Sequence, residues 1–310
     1  MIKEYEFKDH DEWLSIRSKY IGGSDAGAVI GMNPYKSRYT LWAEKTGKVP
    51  GFEGNITTRV GAYLEELVAQ MFEDETGMKV RRKNRTIVND QYPFACANLD
   101  RMIVGEKAFL EIKTTNSVPI MKQLRGTDFP EAYYAQVTHY MAVTGLQKAY
   151  LAVLINCRDF KVYELQRDQA EIDALMEAEK EFWELVKTDT PPSVDGSDST
   201  SDTLNTLYPE SNGQSIDLSM FATELEEYAS LNAQIKALTE LKDEKVNSIK
   251  EYMKEAEKGT YKGFSVSFKT QSRKSFDTDK LVKEHSDIKL DDYYKYSTSR
   301  VFKITEKKEK

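Results

Sequence analysis

"CANLDRMIVGEKAFLEIKTT", residues 96–115, decides how the first part of this chain folds. Val104 and Lys107 flank Gly105-Glu106, which suits a two-residue hairpin loop with glycine at its first position. Across such a loop partner numbers sum to 211, so Asp100 stands directly opposite Glu111 on one face. Lys113 shares that face, while Leu110 and Ile112 point the other way, into the core. Two carboxylates at cross-strand distance repel each other. A cation between them removes that cost, and oxygen donors suit Mg²⁺ or Mn²⁺. A charged lysine is no ligand for a hard metal, but it is placed to hold a water or hydroxide, or to neutralise charge developing on a phosphate. An Asp…Glu-x-Lys set on adjacent strands is what metal-assisted phosphodiester hydrolysis needs. The plainer reading is a salt-bridge cluster on a solvated sheet face. The register with Asp100 and the apolar residues of the opposite face weigh against it.

Working outward, helical and strand patterns alternate through residues 1–190. A helix opens at Ser24, a second covers about 36–46 and closes at Gly47, and a third runs from about 58 to Gly77. Strand-like stretches follow at KVRRKNRTIV, FACANLDRMIV and AFLEIKTT, then the helix EAYYAQVTHYMAVTG. Two more strands (AYLAVLI and KVYELQR) and a helix over about 168–187 complete an α/β domain with a central mixed sheet flanked by helices. Residues 191–216, rich in Ser, Thr, Asp, Gly and Pro, read as a linker. Beyond it Leu218, Phe221, Leu225, Tyr228, Ile235 and Leu238 recur at three- and four-residue steps, which predicts a long amphipathic helix over 217–258. Residues 259–310 form a small β-containing module, in which Phe264, Val266 and Phe268 alternate as in a strand.

Composition sets the class. The chain has 310 residues, 40% hydrophobic and 31% charged, enough for one large domain or two ordinary ones. No apolar run approaches the roughly 20 residues of a membrane span. The charged, aromatic start MIKEYEFKDHDEW is not a secretory signal. Cys96 and Cys157 are too few and too far apart for a disulfide framework or a zinc site. The expected setting is the cytosol. The net charge of −7 alone argues against a nucleic-acid binder, but the charge is uneven. Residues 259–310 carry thirteen basic groups against eight acidic ones. Lys79, Arg81, Arg82, Lys83 and Arg85 fall within seven residues. That stripe is an electrostatic footprint for phosphate, and taken alone it reads equally well as a solvated strand face.

The stretch "SKYIGGSDAGAVIGMNPY", residues 18–35, has the look of an anion-holding loop. No strand and no G-x-G-x-x-G spacing make it a dinucleotide loop, and no G-K-[ST] makes it a P-loop. Ser24 reads as an N-cap, with Gly22 and Gly23 letting backbone come close so that free N–H groups face outward at a helix start.

These pieces together resemble the PD-(D/E)xK nucleases, and within them the YqaJ-like viral recombinases and lambda exonuclease. The resemblance covers about residues 10–190: Arg17 with "IGGSD", then "GAYLEELVAQMFEDETG", "ANLD", "EIK" and "AYYAQVTHYM", in the family's order. Leu99 stands where the family's name has Pro. The resemblance implies a restriction-endonuclease-like core in which Asp100, Glu111 and the Ile112 carbonyl bind metal and Lys113 orients the attacking water. It also implies one more carboxylate from the third helix, where Glu65 and Glu66 both occur. Glu65 borders the stripe Leu64, Val68, Phe72 and is the choice that faces the sheet, whereas Glu66 lines up with Ala69, Gln70 and Glu73. By the same resemblance Gln136 and Tyr140 position the water at the metal and the scissile strand, and Arg17 and Ser24 bind the 5′-terminal phosphate.

The implied activity is a Mg²⁺-dependent 5′→3′ exonuclease on duplex DNA ends, with Mn²⁺ able to substitute. Its product would be a 3′ overhang for a phage-encoded single-strand annealing protein. A homo-oligomeric ring around DNA, a trimer among the options, would let an acidic protein stay on its substrate, in the cytoplasm of a bacterial host. The alternatives are another nuclease of the superfamily, either an endonuclease or a helicase-associated nuclease, and a non-enzymatic DNA-end binder.

Overall fold

A computed structural model describes residues 1–116, 131–285 and 288–305. The chain divides into two units, Met1–Tyr208 and Pro209–Lys310.

The first unit carries two mixed sheets. One has the order β1-β4-β5-β2, from Ile2–Tyr5, Thr86–Asn89, Tyr92–Ala97 and Ile21–Gly22. The other has the order β3-β6-β7-β8-β9, from Val80–Arg82, Arg101–Ile103, Ala108–Thr115, Lys148–Ile155 and Asp159–Gln166. Two stretches read from sequence as single strands are therefore each broken between sheets, at Lys83–Arg85 and at Asn98–Asp100. Asn98 stitches the break by donating to the Arg85 carbonyl and the Thr86 hydroxyl.

The β6–β7 register is the expected one: Arg101 pairs with Leu110 and Met102 with Phe109. The tip differs. The ladder ends at Met102–Phe109, because the Val104 N–H donates to the Lys79 carbonyl at 2.8 Å and Glu106 pairs with Lys148 at 2.7 Å. The loop is wider than a two-residue turn.

β7 is buried on both faces, as a central strand flanked by helices should be. Its Leu110 and Ile112 join a core with Val68, Ala69 and Phe72 of helix α4 (Ile56–Thr76). Its Phe109 joins the larger core on the other side, with helix α5 (Glu131–Thr144). α5 is buried at every position from Ala135 to Val143, so its polar Gln136, Thr138 and His139 are buried along with its apolar residues. α4 starts at the Asn55 cap and stops at Gly77 in the left-handed conformation (φ 72°), both as its sequence signals. Helices α1 (His10–Arg17), α2 (Gly23–Val29), α3 (Arg38–Lys45) and α6 (Gln169–Lys187) complete this layer.

Residues 191–216 are not a continuous linker. Asp198–Leu207 form helix α7, capped by Ser197, with Thr200 and Thr203 buried against α3. The Thr40 hydroxyl meets the Ser199 carbonyl at 2.9 Å and the Thr203 hydroxyl at 2.7 Å. The Ser/Thr content that reads as loop is a hydroxyl ladder between two helices, with its polar groups satisfied by one another.

In the second unit, helix α8 spans Ala222–Met253, shorter than its periodic pattern. Its Leu231, Ile235 and Leu238 are all exposed. β10 (Lys258–Tyr261) and β11 (Phe264–Ser267) form a hairpin, and α9 spans Thr278–Glu284. Among the described residues no helix is long and apolar enough to cross a membrane.

Candidate active site

The break at Asn98–Asp100 makes the site. Where the strand leaves β7 for the other sheet, the Ile112 N–H loses a ladder partner, and the Asp100 carboxylate takes it at 2.8 Å. Glu111 projects from β7 into the α5 side and is 2% exposed. Its Oε1 accepts from Lys113 Nζ at 2.6 Å and from Gln136 Nε2 at 2.6 Å. Its Oε2 is buried with no hydrogen-bond partner. Gln136 also donates to the Tyr140 hydroxyl at 3.2 Å, one turn along α5. Lys113 Nζ sits 5.5 Å from the Tyr133 ring centre.

The electrostatics follow from this crowding. Burial lifts the Asp100 carboxyl well above the usual range, and Glu111 lifts it further against the pull of Lys113 and the Ile112 N–H. Burial also raises Glu111, against Lys113. For Lys113, burial opposes the charge, but the Glu111 and Asp100 carboxylates more than offset it and hold the ammonium above its ordinary value. Tyr140 is raised well above a free phenol by burial and by the same two carboxylates.

On α4, Glu65 reaches the rim of the cleft and pairs there with Arg101. Glu66 is turned outward, held by Arg82 at 2.6 Å and Arg101 at 3.0 Å. Arg17 donates to the Ser24 hydroxyl, with its guanidinium 5.1 Å from the Trp13 ring centre. Arg17, Ser24, Glu65, Asp100, Glu111, Ile112, Lys113, Gln136 and Tyr140 thus line one cleft of about 440 Å³. Every candidate residue is brought together.

Three expectations change. Ser24 is not the N-cap of α2: Gly22 is, and its N–H is taken by the Asp25 carboxylate at 3.1 Å, leaving the Ser24 side chain exposed beside Arg17. The glycines serve packing. A Cβ on Gly23 would lie 2.4 Å from Tyr140 Cε1, and one on Gly22 3.1 Å from Arg17 Nε. The basic stripe is largely neutralised within the fold: Lys79 pairs with Glu73, Arg82 with Glu66, Lys83 with Glu4, and Arg85 with Glu6. Among the described residues, Arg81 is its one member without an ion pair.

The sequence reading missed three supports. Buried Arg101 follows Asp100 directly, and strand alternation puts this charge on the Leu110 face; a cation among apolar neighbours was the signal available. Asp25 pairs with Lys45 at 2.9 Å; burial opposes its charge, but Lys45 and Arg17 hold its carboxyl well below the usual range. His139 and Glu179, both fully buried, pair at 2.8 Å, with the second imidazole nitrogen 2.9 Å from the Cys96 carbonyl oxygen.

The donor set fits a divalent cation. A buried carboxylate oxygen without a partner, on a residue that pushes up a second carboxylate already destabilised by burial, is what such a cation would relieve. Among the described residues, no three His, Cys, Asp or Glu side chains are gathered closely enough to hold a metal, Glu65 being turned to Arg101.

Residues 12–147 match the model of the YqaJ-like viral recombinase domain. Protein YqaJ of Bacillus subtilis (strain 168) is 40% identical over 284 residues, which cover 90% of this chain and 89% of that protein. The chain belongs to the YqaJ-like viral recombinase family. Its fold is that of an alkaline exonuclease: the crystal structure of such an enzyme from Laribacter hongkongensis aligns with a TM-score of 0.51 at 20% identity, over 58% of this chain and 94% of that one. The same enzyme in complex with dAMP aligns at 0.52.

Proposed function

We propose that this member of the YqaJ-like family is a divalent-metal-dependent exonuclease that degrades the 5′-ended strand of duplex DNA from its end. The observation that carries the reading is the pair Asp100 and Glu111, with Glu111 Oε2 buried and unpartnered beside Lys113. Asp100, Glu111, the Ile112 carbonyl and Glu65 would hold Mg²⁺, with Mn²⁺ able to substitute. When bound, the metal supplies Lewis-acid activation of the phosphodiester and charge neutralisation at the scissile phosphate.

The protein's own groups do the rest. Lys113 is anchored by Glu111 and orients the attacking water while its ammonium neutralises charge growing on the phosphate. Gln136, fixed between Glu111 and Tyr140, presents its amide to the same point and limits where the water can sit. Arg17 and Ser24, on the same cleft, supply a guanidinium and a hydroxyl for a terminal 5′-phosphate. That placement supports attack close to a 5′ end. The 3′ overhang left behind is the substrate of a single-strand annealing protein, and a homo-oligomeric ring would keep an acidic protein on its DNA.

The test is digestion of a 5′-labelled linear duplex and of a covalently closed circle, with Mg²⁺ or EDTA, by the wild type and by Lys113→Ala. Linear-only release that needs Mg²⁺ and is lost in Lys113→Ala is expected. Cutting of the circle would make the protein an endonuclease. Binding to ends without any cutting would overturn the enzymatic reading.

A further inference from the structure

Arg101 is buried, yet it is the hub of a charged cluster. Its guanidinium donates to the Asp100 carbonyl at 2.7 Å, to Glu65 Oε1, and to Glu66 Oε2 at 3.0 Å. A buried guanidinium left without a partner is strongly destabilising. Here it has two carboxylate partners, so it can release one and stay paired. Glu66 is the partner that stays, because Arg82 holds it from the outside at 2.6 Å. Glu65 is the partner that can leave, because it already lines the cleft and is near enough to act electrostatically on both Asp100 and Glu111.

We propose that Arg101 is a positioning residue that holds Glu65 away from the cation position in the cation-free protein and yields it when a divalent cation binds, Glu66 keeping the guanidinium paired. The proposal rests on the reading of the cleft as a cation site. It accounts for two facts together: a carboxylate at the rim that reaches the site, and no third acidic ligand gathered there among the described residues. In this arrangement Arg101 competes with the cation for Glu65, so removing Arg101 tightens cation binding. A residue that merely braced Glu65 for the metal would do the opposite.

The experiment measures Mn²⁺ binding to the full chain by calorimetry, without DNA, for the wild type, Asp100→Asn, Glu65→Gln, Arg101→Met, Arg101→Lys and the double variant Glu65→Gln/Arg101→Met. Wild-type binding that Asp100→Asn abolishes supports the cation site itself. Glu65→Gln is expected to weaken binding and Arg101→Met to tighten it about fivefold, the value of one partly exposed ion pair. Arg101→Lys, which keeps the charge but loses the fork, tightens it less, and it stands in if Arg101→Met does not fold. The gain from Arg101→Met should vanish in the Glu65→Gln background, since the two residues act through one contact. A gain that persists there is bulk electrostatics and overturns the exchange; so does weaker binding in both Arg101 variants. Mn²⁺ binding that Asp100→Asn leaves untouched refutes the cation site and this proposal with it.

Discussion

Replacing Gly23 by alanine should damage a site whose charged residues it never touches. The added Cβ would lie 2.4 Å from Tyr140 Cε1, 2.8 Å from Cζ and 2.9 Å from Cδ1. Carbon atoms in contact normally keep about 3.5–4.0 Å, so either the ring or α2 must move by roughly 1 Å. The ring has little room: Tyr140 is buried, edge-on to Phe109 at 6.0 Å and to His139 at 5.9 Å between centroids. Overpacking of this kind costs about 1–3 kcal/mol, or roughly 2–12 °C in melting temperature for a unit of this size. The displacement also travels, because the Tyr140 hydroxyl holds Gln136, which holds Glu111. A 1 Å error at a reacting centre is worth about a hundredfold in rate, so the nuclease activity should fall by about that factor. Thermal melts and duplex digestion read both numbers. Tyr140→Ala removes all three clashing ring atoms, so Gly23→Ala should add almost no further loss of stability in that background. Wild-type melting of Gly23→Ala, or strictly additive losses in the pair, would refute the reasoning.

Three further outcomes follow from buried charge and one from the packing of α7. Asp100→Asn should be more stable than the wild type in EDTA, by the roughly 0.5–2 kcal/mol typical of relieving a functional-site cost, while losing activity. Because the folded pKa of Asp100 is raised, its cost to stability grows as pH rises from the unfolded value of 3.8 through the folded one, so the advantage of Asp100→Asn should be absent at pH 3 and present at pH 8. Lys45→Met leaves Asp25 short of its main counter-charge and should destabilise by about 3–5 kcal/mol in urea titrations. The Asp25 carboxyl is depressed, so its stabilisation exists above pH 3.8 and fades as pH falls through the folded value; the Lys45→Met deficit should shrink on acidification. His139 lies above the ordinary imidazole value of 6.5: burial opposes the charge, and Glu179 outweighs it. Its contribution is therefore complete below pH 6.5 and lost as pH rises through the folded pKa, with a slope of at most about 1.4 kcal/mol per pH unit, and His139→Gln should flatten that slope. A chain ended at residue 190 should melt below one ended at 208, because it uncovers the Ser37 and Thr40 hydroxyls and the apolar surface under Leu204 and Leu207.

The legible parts of this chain were those where one local rule settles the outcome. The 211 register follows from strand pairing about Gly105-Glu106, and it survives although the ladder stops two pairs short of the expected loop. Gly77 ends α4 because a left-handed residue must, and Glu65 comes out on the cleft side because helical spacing leaves no other side for it. What stayed hidden depends on partners distant in sequence. RTIV and KVRR look like one strand, and only the second sheet shows that the chain changes neighbours between them. The helix Asp198–Leu207 has a composition that favours loops, and its hydroxyls become helix-compatible only against Ser37 and Thr40. Arg101 stood out in the sequence only as a cation among apolar neighbours, and its pairing has no meaning until Glu65 and Glu66 arrive from α4.

The same break that hid part of the fold explains why the acids can be where they are. An unbroken β5–β6 strand would pair every β7 amide by backbone and leave Asp100 as an ordinary cross-strand neighbour. By passing to the second sheet at Asn98–Asp100, the chain gives up a ladder bond at Ile112 and fills it with a carboxylate. That hydrogen bond offsets part of the cost of burying Asp100 beside Glu111, and Asn98 recovers some of the rest by closing the gap to Arg85 and Thr86. The remaining cost is met by Lys113 on one side and is left open at Glu111 Oε2 on the other. A fold that leaves one buried oxygen unanswered, in a cleft lined by a lysine and a guanidinium, gives up stability there, and on the proposed reading a bound cation recovers it. On the proposed reading, relief at Asp100 and loss of catalysis arrive together, so a substitution there that stabilises the cation-free protein and still digests DNA would refute it.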